Sequence, residues 1–143
     1  ILCIRIVAFA CEIGLYTIIH GGYDQGVPSC NYSSVERILK VIKHINPSML
    51  IIAHMGGWGQ SYMVKNYLCG CGAYFDTSFS RFFMSEGLFT SIIRENGIDK
   101  ILYGTDGPWG SPINDRPFID SLNLTREEKE MIYCENAKKI LGL

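Results

Sequence analysis

Three side chains that can hold a divalent cation or exchange a proton stand where apolar runs end: His20 after YTII, His54 after LIIA and Asp106 after ILYGT. Neutral imidazole and carboxylate are the usual protein ligands of catalytic zinc and related divalent metals, whose sites keep one position open for water or substrate. A single histidine at a strand end is more often a hydrogen-bonded structural residue than a ligand. Three such ends in one chain point to a shared site.

For the three to meet, the runs that carry them must lie side by side and point the same way. The chain repeats a short apolar strand, a polar or glycine-rich loop and an amphipathic helix, which is what a parallel sheet with crossover helices requires. Four strands are predicted, over residues 16–20, 49–54, 73–77 and 100–105. The C-terminal ends of parallel strands open on one face, so residues there converge on a common pocket.

The helices read in the same way. Residues 1–13 predict a buried helix ended by a left-handed cap at Gly14. Ser33 or Ser34 caps a second, with Val35, Ile38, Leu39 and Ile42 on its apolar face, and Asn46 and Pro47 stop it. A short helix follows over residues 60–68, and Leu88, Ile92 and Ile93 give the next its buried stripe, capped by Gly97. Pro108 and Pro112 predict a stiff loop, and Thr125 with Glu128 forms a capping box opening a last helix through Met131, Ala137 and Leu141.

Composition narrows the function. The 143 residues are 48% hydrophobic and 19% charged, which predicts one soluble, well-packed domain over residues 1–143. A net charge of −1 leaves no basic excess for phosphate backbones or anionic lipids, so neither nucleic acid nor membrane is expected as a partner. The longest apolar stretches are broken by Arg5 and Glu12 or are too short to span a bilayer. The six cysteines are irregularly spaced, as expected of reduced thiols in a cytoplasmic protein, and Cys69 and Cys71 sit too close together for a zinc knuckle. The chain does not begin with Met and reads as trimmed or incomplete.

Around the strand ends, Trp58, Trp109, Tyr23 and Phe79 are placed to line a pocket for a flat or aromatic acid, or to pack under loops. Arg81 is placed to pair with a substrate carboxylate or to lie solvated in its loop. Asp76 is expected to fix neighbouring loop backbone. His44 ends a helix on the far side of the sheet, where its charge would suit the helix dipole, and is set apart from the site.

Several motifs together carry a family resemblance: HGG at His20, AHMGGW from Ala53, YFDTS from Tyr74, ILYGTDGPW from Ile101 and the final NAKKILGL from Asn136. In order and spacing they resemble the amidohydrolase-related metal-dependent barrel family along nearly the whole chain. The resemblance implies an α/β fold, half of a TIM-like (βα)8 barrel, with about four parallel strands corresponding to the fifth through eighth and the N-terminal half missing. It implies His20 and Asp106 as metal ligands and His54 as a ligand or acid–base group beside the metal, with zinc placed ahead of manganese. The His-x-His pair that the family's first strand supplies is not in this sequence.

By that resemblance the chain is half of a metal-dependent hydrolase acting on C–N, C–O or C–C bonds of a small carboxylated substrate. Asp106 would both hold metal and accept the proton of metal-activated water, with His54 beside it, and Trp58, Arg81 and Trp109 would bind substrate. The alternatives are a non-oxidative decarboxylase of an aromatic or unsaturated acid and a non-catalytic half-barrel scaffold. A half barrel leaves sheet edges and apolar inner faces open, so a homodimer or a complementary N-terminal half is the expected partner.

Overall fold

Residues 2–27 and 31–143 are described by a computed structural model. Ile1, where the first predicted helix begins, and residues 28–30 of the following loop, with Cys30, lie outside the described residues. In chain order the elements are α1 (Leu2–Glu12), β1 (Thr17–Ile19), α2 (Val35–Ile42), β2 (Leu50–Ile52), α3 (Ser61–Met63), β3 (Tyr74–Asp76), α4 (Glu86–Asn96), β4 (Ile101–Leu102), α5 (Pro112–Ser121), α6 (Arg126–Glu130) and α7 (Asn136–Leu141). Wider π-type turns over Val64–Leu68 and Met131–Glu135 continue α3 and join α6 to α7.

The four strands pair in parallel in the order β1-β2-β3-β4, as the alternating pattern predicts. Ile18 lies beside Ile51 and Ile51 beside Tyr74, while Asp76 lies beside Leu102. Leu50, Ile52, Phe75 and Ile101 bury one face against α2, α4 and the α6–α7 segment, through Ile38, Phe89, Ile92 and Ile132. The other face carries Ile51, Tyr74 and Leu102, with Ala137 and Ile140 of α7 packed on them. Side chains alternate across the pleat, so both faces are apolar in a strand covered on both sides.

That second face is only partly covered. Ile18 on the edge strand β1 is 68% exposed. Helix α1, expected to be buried, buries only Val7. Its stripe Leu2, Ile6, Phe9 and Ile13, spaced for one helical face, stays open because no described element packs over it.

Local chemistry sets most boundaries. Gly14 has φ 80° and ends α1 as predicted. Thr125 and Glu128 form the capping box at α6, and a bidentate Arg94–Glu128 pair ties that box to α4. Ser34 is the N-cap of α2, yet its side chain makes no cap bond; the first helical N–H, that of Val35, donates to Gln60 Oε1 at 2.9 Å. The stiff loop expected around Pro112 is instead helix α5: Ser111 Oγ accepts from Ile113 N, and Pro112 fills the first turn, where its missing N–H is not needed.

Two buried asparagines fasten helices to strands. Asn96 Nδ2 donates to Ala73 O and its Oδ1 accepts from Gly70 N, fixing the entry to β3. Asn136, 2% exposed, donates through Nδ2 to both Ile98 O and Ile101 O at 2.8 Å. Removing a buried partner leaves carbonyls unpaired at roughly 1–3 kcal/mol each. Asn136→Ala is therefore expected to lower the unfolding free energy by about 2–3 kcal/mol at an unchanged urea m-value. A loss under about 0.5 kcal/mol, the usual range for an inconsequential surface change, would remove Asn136 from this role.

Candidate active site

The strand ends are zipped together by backbone and side chain beyond the last ladder bonds. After β1, Gly21 O accepts from Trp58 N at 2.7 Å and Tyr23 N donates to Trp58 O at 2.9 Å. The intervening Gly22 has φ 90°, and a Cβ there would lie 2.2 Å from Trp58 O, so only glycine lets the His20 and His54 loops approach this closely. After β3, Thr77 Oγ1 donates to Gly104 O at 2.9 Å and accepts from Gly104 N at 3.0 Å, replacing a sheet rung with a side chain. After β4, Asp106 O accepts from Trp109 N and Gly110 N, and a Cβ on Gly110 would sit 1.7 Å from Thr105 O.

These junctions hold four non-glycine residues in the left-handed region: His54, Met55, Phe79 and Asp106, with φ between 50° and 61°. Such conformations cost energy and persist where surrounding contacts impose them, most often at functional sites. His54 and Asp106 are two of the residues whose chemistry drew notice in the sequence.

His20, His54 and Asp106 line one cleft of about 270 Å³ together with Tyr23, Asp24, Trp58, Phe79 and Trp109. The two imidazoles meet edge to face at 4.7 Å, with His54 Nε2 3.1 Å from His20 Nδ1. His54 Nδ1 lies 3.0 Å from Ser78 O and 3.1 Å from Ser78 Oγ. His20 Nε2 lies 2.8 Å from Tyr23 O. Trp109 is at the rim, 74% exposed, and the indole N–H of Trp58 is buried with no hydrogen-bond partner among the described residues while its ring packs on Phe83.

Arg81 does not line the cleft. Its Nε donates to Asp115 Oδ1 at 2.6 Å, its guanidinium stacks on Phe82, and Asp115 Oδ2 accepts from Ser111 N. Arg81 thus fastens the loop after β3 to the start of α5, behind the Asp106 loop. His44 lies in the turn after α2 and is not among the cleft residues.

Asp76 fixes backbone, as its place in the sequence implies: Oδ1 accepts from His54 N and Ser78 N, each at 3.0 Å, and from Ser78 Oγ at 2.5 Å. Ser78 escaped the sequence reading; the available signal was a hydroxyl two residues after an aspartate at a strand end, a spacing that favours local side-chain to backbone bonds. Asp24 was missed too, in a loop with no periodic pattern.

The amidohydrolase family profile matches residues 4–143. The chain belongs to the amidohydrolase family. Among solved structures it is similar to 2,6-dihydroxybenzoate decarboxylase from Rhizobium, with a TM-score of 0.65 at 13% identity, over 93% of this chain and 53% of that one. It is similar to a dihydroxybenzoic acid decarboxylase from Polaromonas, solved with manganese and 2-nitroresorcinol, at TM-score 0.64 and 14% identity over 94% and 52%. A third is 5-carboxyvanillate decarboxylase from Sphingomonas paucimobilis, at TM-score 0.61 and 14% identity over 92% and 50%. No curated protein sequence matches. The amidohydrolase chain spans about half the length of these relatives, and its fold is accordingly half of a TIM-like barrel, four parallel strands with crossover helices.

The donor set suits a divalent cation. Ser78 has one hydroxyl proton and gives it to Asp76, so His54 Nδ1 faces only acceptors and the network assigns it the ring proton. His54 Nε2 is then the lone-pair nitrogen, and His20 Nδ1 donates to it. With His20 neutral, the lone pair of its Nε2 faces the Tyr23 carbonyl oxygen, a mismatch that a bound cation or a second ring proton relieves. Among the described residues no three His, Cys, Asp or Glu side chains form a cage. His20 and Asp106 line the same cleft, and as two candidate donors they would supply only part of an ion's shell.

Among the described residues the cysteines stand apart from this cleft. Cys69, in the turn before β3, gives its S–H to Ile92 O, and burial, with Glu95 and Cys71 nearby, pushes its thiol pKa up to about 12. Burial also raises Cys71. Thiolate is the reactive form, so at about pH 8 iodoacetamide is expected to label exposed Cys3 at least tenfold faster than Cys69, followed by peptide mass spectrometry. Equal rates would mean that the Cys69 thiol is activated.

Proposed function

We propose that this chain is one half of a metal-dependent enzyme acting on a small carboxylated substrate, completed by an N-terminal half barrel or a second copy. The observation that carries the reading is the shared cleft, where His20, His54 and Asp106 meet at the C-terminal ends of parallel strands. His20 Nε2 and the Asp106 carboxylate would hold a divalent ion, zinc or manganese; the relative from Polaromonas is described with manganese. When bound, the ion supplies positive charge that orients a carboxylated substrate and acidifies a water.

Decarboxylation of a flat aromatic acid is the reading best supported. Tyr23, Trp58, Phe79 and Trp109 give the cleft aromatic walls, and the structures it is similar to include decarboxylases of dihydroxybenzoate and carboxyvanillate. In this reaction His54, which lines the cleft, would first take up a proton at Nε2 from solvent and then give it to the ring carbon as the carboxylate leaves as CO2. Hydrolysis is the second reading: Asp106 lines the same cleft, where its carboxylate would accept a proton from water.

Metal binding is measured on the chelator-treated chain by titration calorimetry with zinc and with manganese. About one ion per chain or assembly is expected, with His20→Ala and Asp106→Ala each weakening affinity at least tenfold and His54→Ala doing so less. Equal affinity in all three variants would overturn the ligand assignment, and no binding at all would favour a scaffold.

The chain's two tryptophans, Trp58 and Trp109, both line the cleft, so intrinsic fluorescence reports on it directly. With metal present, 2,6-dihydroxybenzoate is expected to quench it saturably and succinate to leave it unchanged. Equal responses to both acids would favour the hydrolase reading.

A further inference from the structure

Beside His54 lies a hydrogen-bond network that belongs neither to the cleft lining nor to the candidate ligands. Asp76 sits on the same sheet face as Leu102, below the two histidines, and a single carboxylate oxygen collects three donors. Two of them, the N–H groups of His54 and Ser78, fix the backbone on both sides of the imidazole. The third is the Ser78 hydroxyl, at 2.5 Å. That hydroxyl is also 3.1 Å from His54 Nδ1, where its proton would otherwise be free to go. Ser78 is 5% exposed and His54 5%, so water does not compete for these bonds.

We propose that Asp76 is a positioning residue that sets the tautomer of His54 by holding the Ser78 proton away from it. With the hydroxyl turned to Asp76, Nδ1 has only the Ser78 carbonyl and the hydroxyl lone pairs before it and must donate. Nε2 is then left as the lone-pair nitrogen, 3.1 Å from His20 Nδ1. Without Asp76, the Ser78 hydroxyl turns to Nδ1 and the ring proton moves to Nε2, the wrong nitrogen for accepting a proton. Asp76 is not itself among the cleft-lining residues and meets His54 only at its backbone N–H; on the imidazole it acts through Ser78.

The inference rests on His54 as the proton-handling group, but its test needs no turnover. Imidazole nitrogen shifts of the chelator-treated chain, 15N-labelled at histidine, report which nitrogen bears the proton at about pH 9, where free imidazole is neutral. In the wild-type chain His54 is expected as the Nδ1–H form. Asp76→Ala is expected to shift the ratio toward Nε2–H by on the order of tenfold, the scale of one buried hydrogen bond. Asp76→Asn, which keeps an acceptor, stays near the wild-type ratio.

The deciding variant is Asp76→Ala with Ser78→Ala. Removing the hydroxyl as well leaves only the Ser78 carbonyl position before Nδ1, so the Nδ1–H form returns. A double variant no better than Asp76→Ala would make Asp76 merely structural and overturn the proposal. So would a wild-type His54 protonated on Nε2, a result that depends on no variant folding. A chain that binds no metal but shows the expected tautomers would sink the proposed function and leave this inference intact.

Discussion

Where Ile52, Asp76 and Leu102 end their strands, the parallel ladder stops and backbone groups lose their partners while still surrounded by protein. Buried N–H and C=O groups must be paired, and here side chains and glycine-tight loops pair them. Thr77 spans both backbone groups of Gly104, Asp76 takes the N–H groups of His54 and Ser78, and Trp58 exchanges bonds with Gly21 and Tyr23. Each junction joins residues more than twenty positions apart, except the Asp76–Ser78 turn. The cleft is therefore a product of strand ending: the bonds that close the sheet also place His20, His54 and Asp106.

Much of the fold was readable because its signals are local or periodic. Apolar runs bounded by Gly and Pro marked the four strands, the Thr125–Glu128 spacing marked α6, and the family motifs linked the strand ends to one another. α5 escaped because Pro108 and Pro112 read as loop signals, although Pro112 sits where a helix tolerates it and Ser111 caps the turn. The cap of α2 escaped because its acceptor, Gln60, is distant in sequence. No local pattern announces a bond across twenty-five residues.

The site was legible as residue types and less so as geometry. His20, His54, Asp106, Trp58 and Trp109 come together in one cleft, while Arg81 is held by Asp115, a partner in a helix that the sequence did not reveal. The contributions of Ser78 and Asp24 depend on where loops fold back, which periodicity does not encode. The left-handed backbone of His54 and Asp106 is similarly hard to read: both residue types are enriched in that region, yet most of them lie elsewhere.

The edge strands β1 and β4 give the sheet two unlike edges, and their difference governs how it can be completed. Joining β1 to a β4-type edge keeps every strand parallel, the same face inward and every C-terminal end at one mouth. Joining two identical edges about a two-fold axis either reverses the strand direction or turns one inner face outward. Completion is thus a head-to-tail event: whatever covers this amidohydrolase half must itself carry both kinds of edge in the same order, and a copy that pairs like with like makes a wider open sheet with its clefts on different sides.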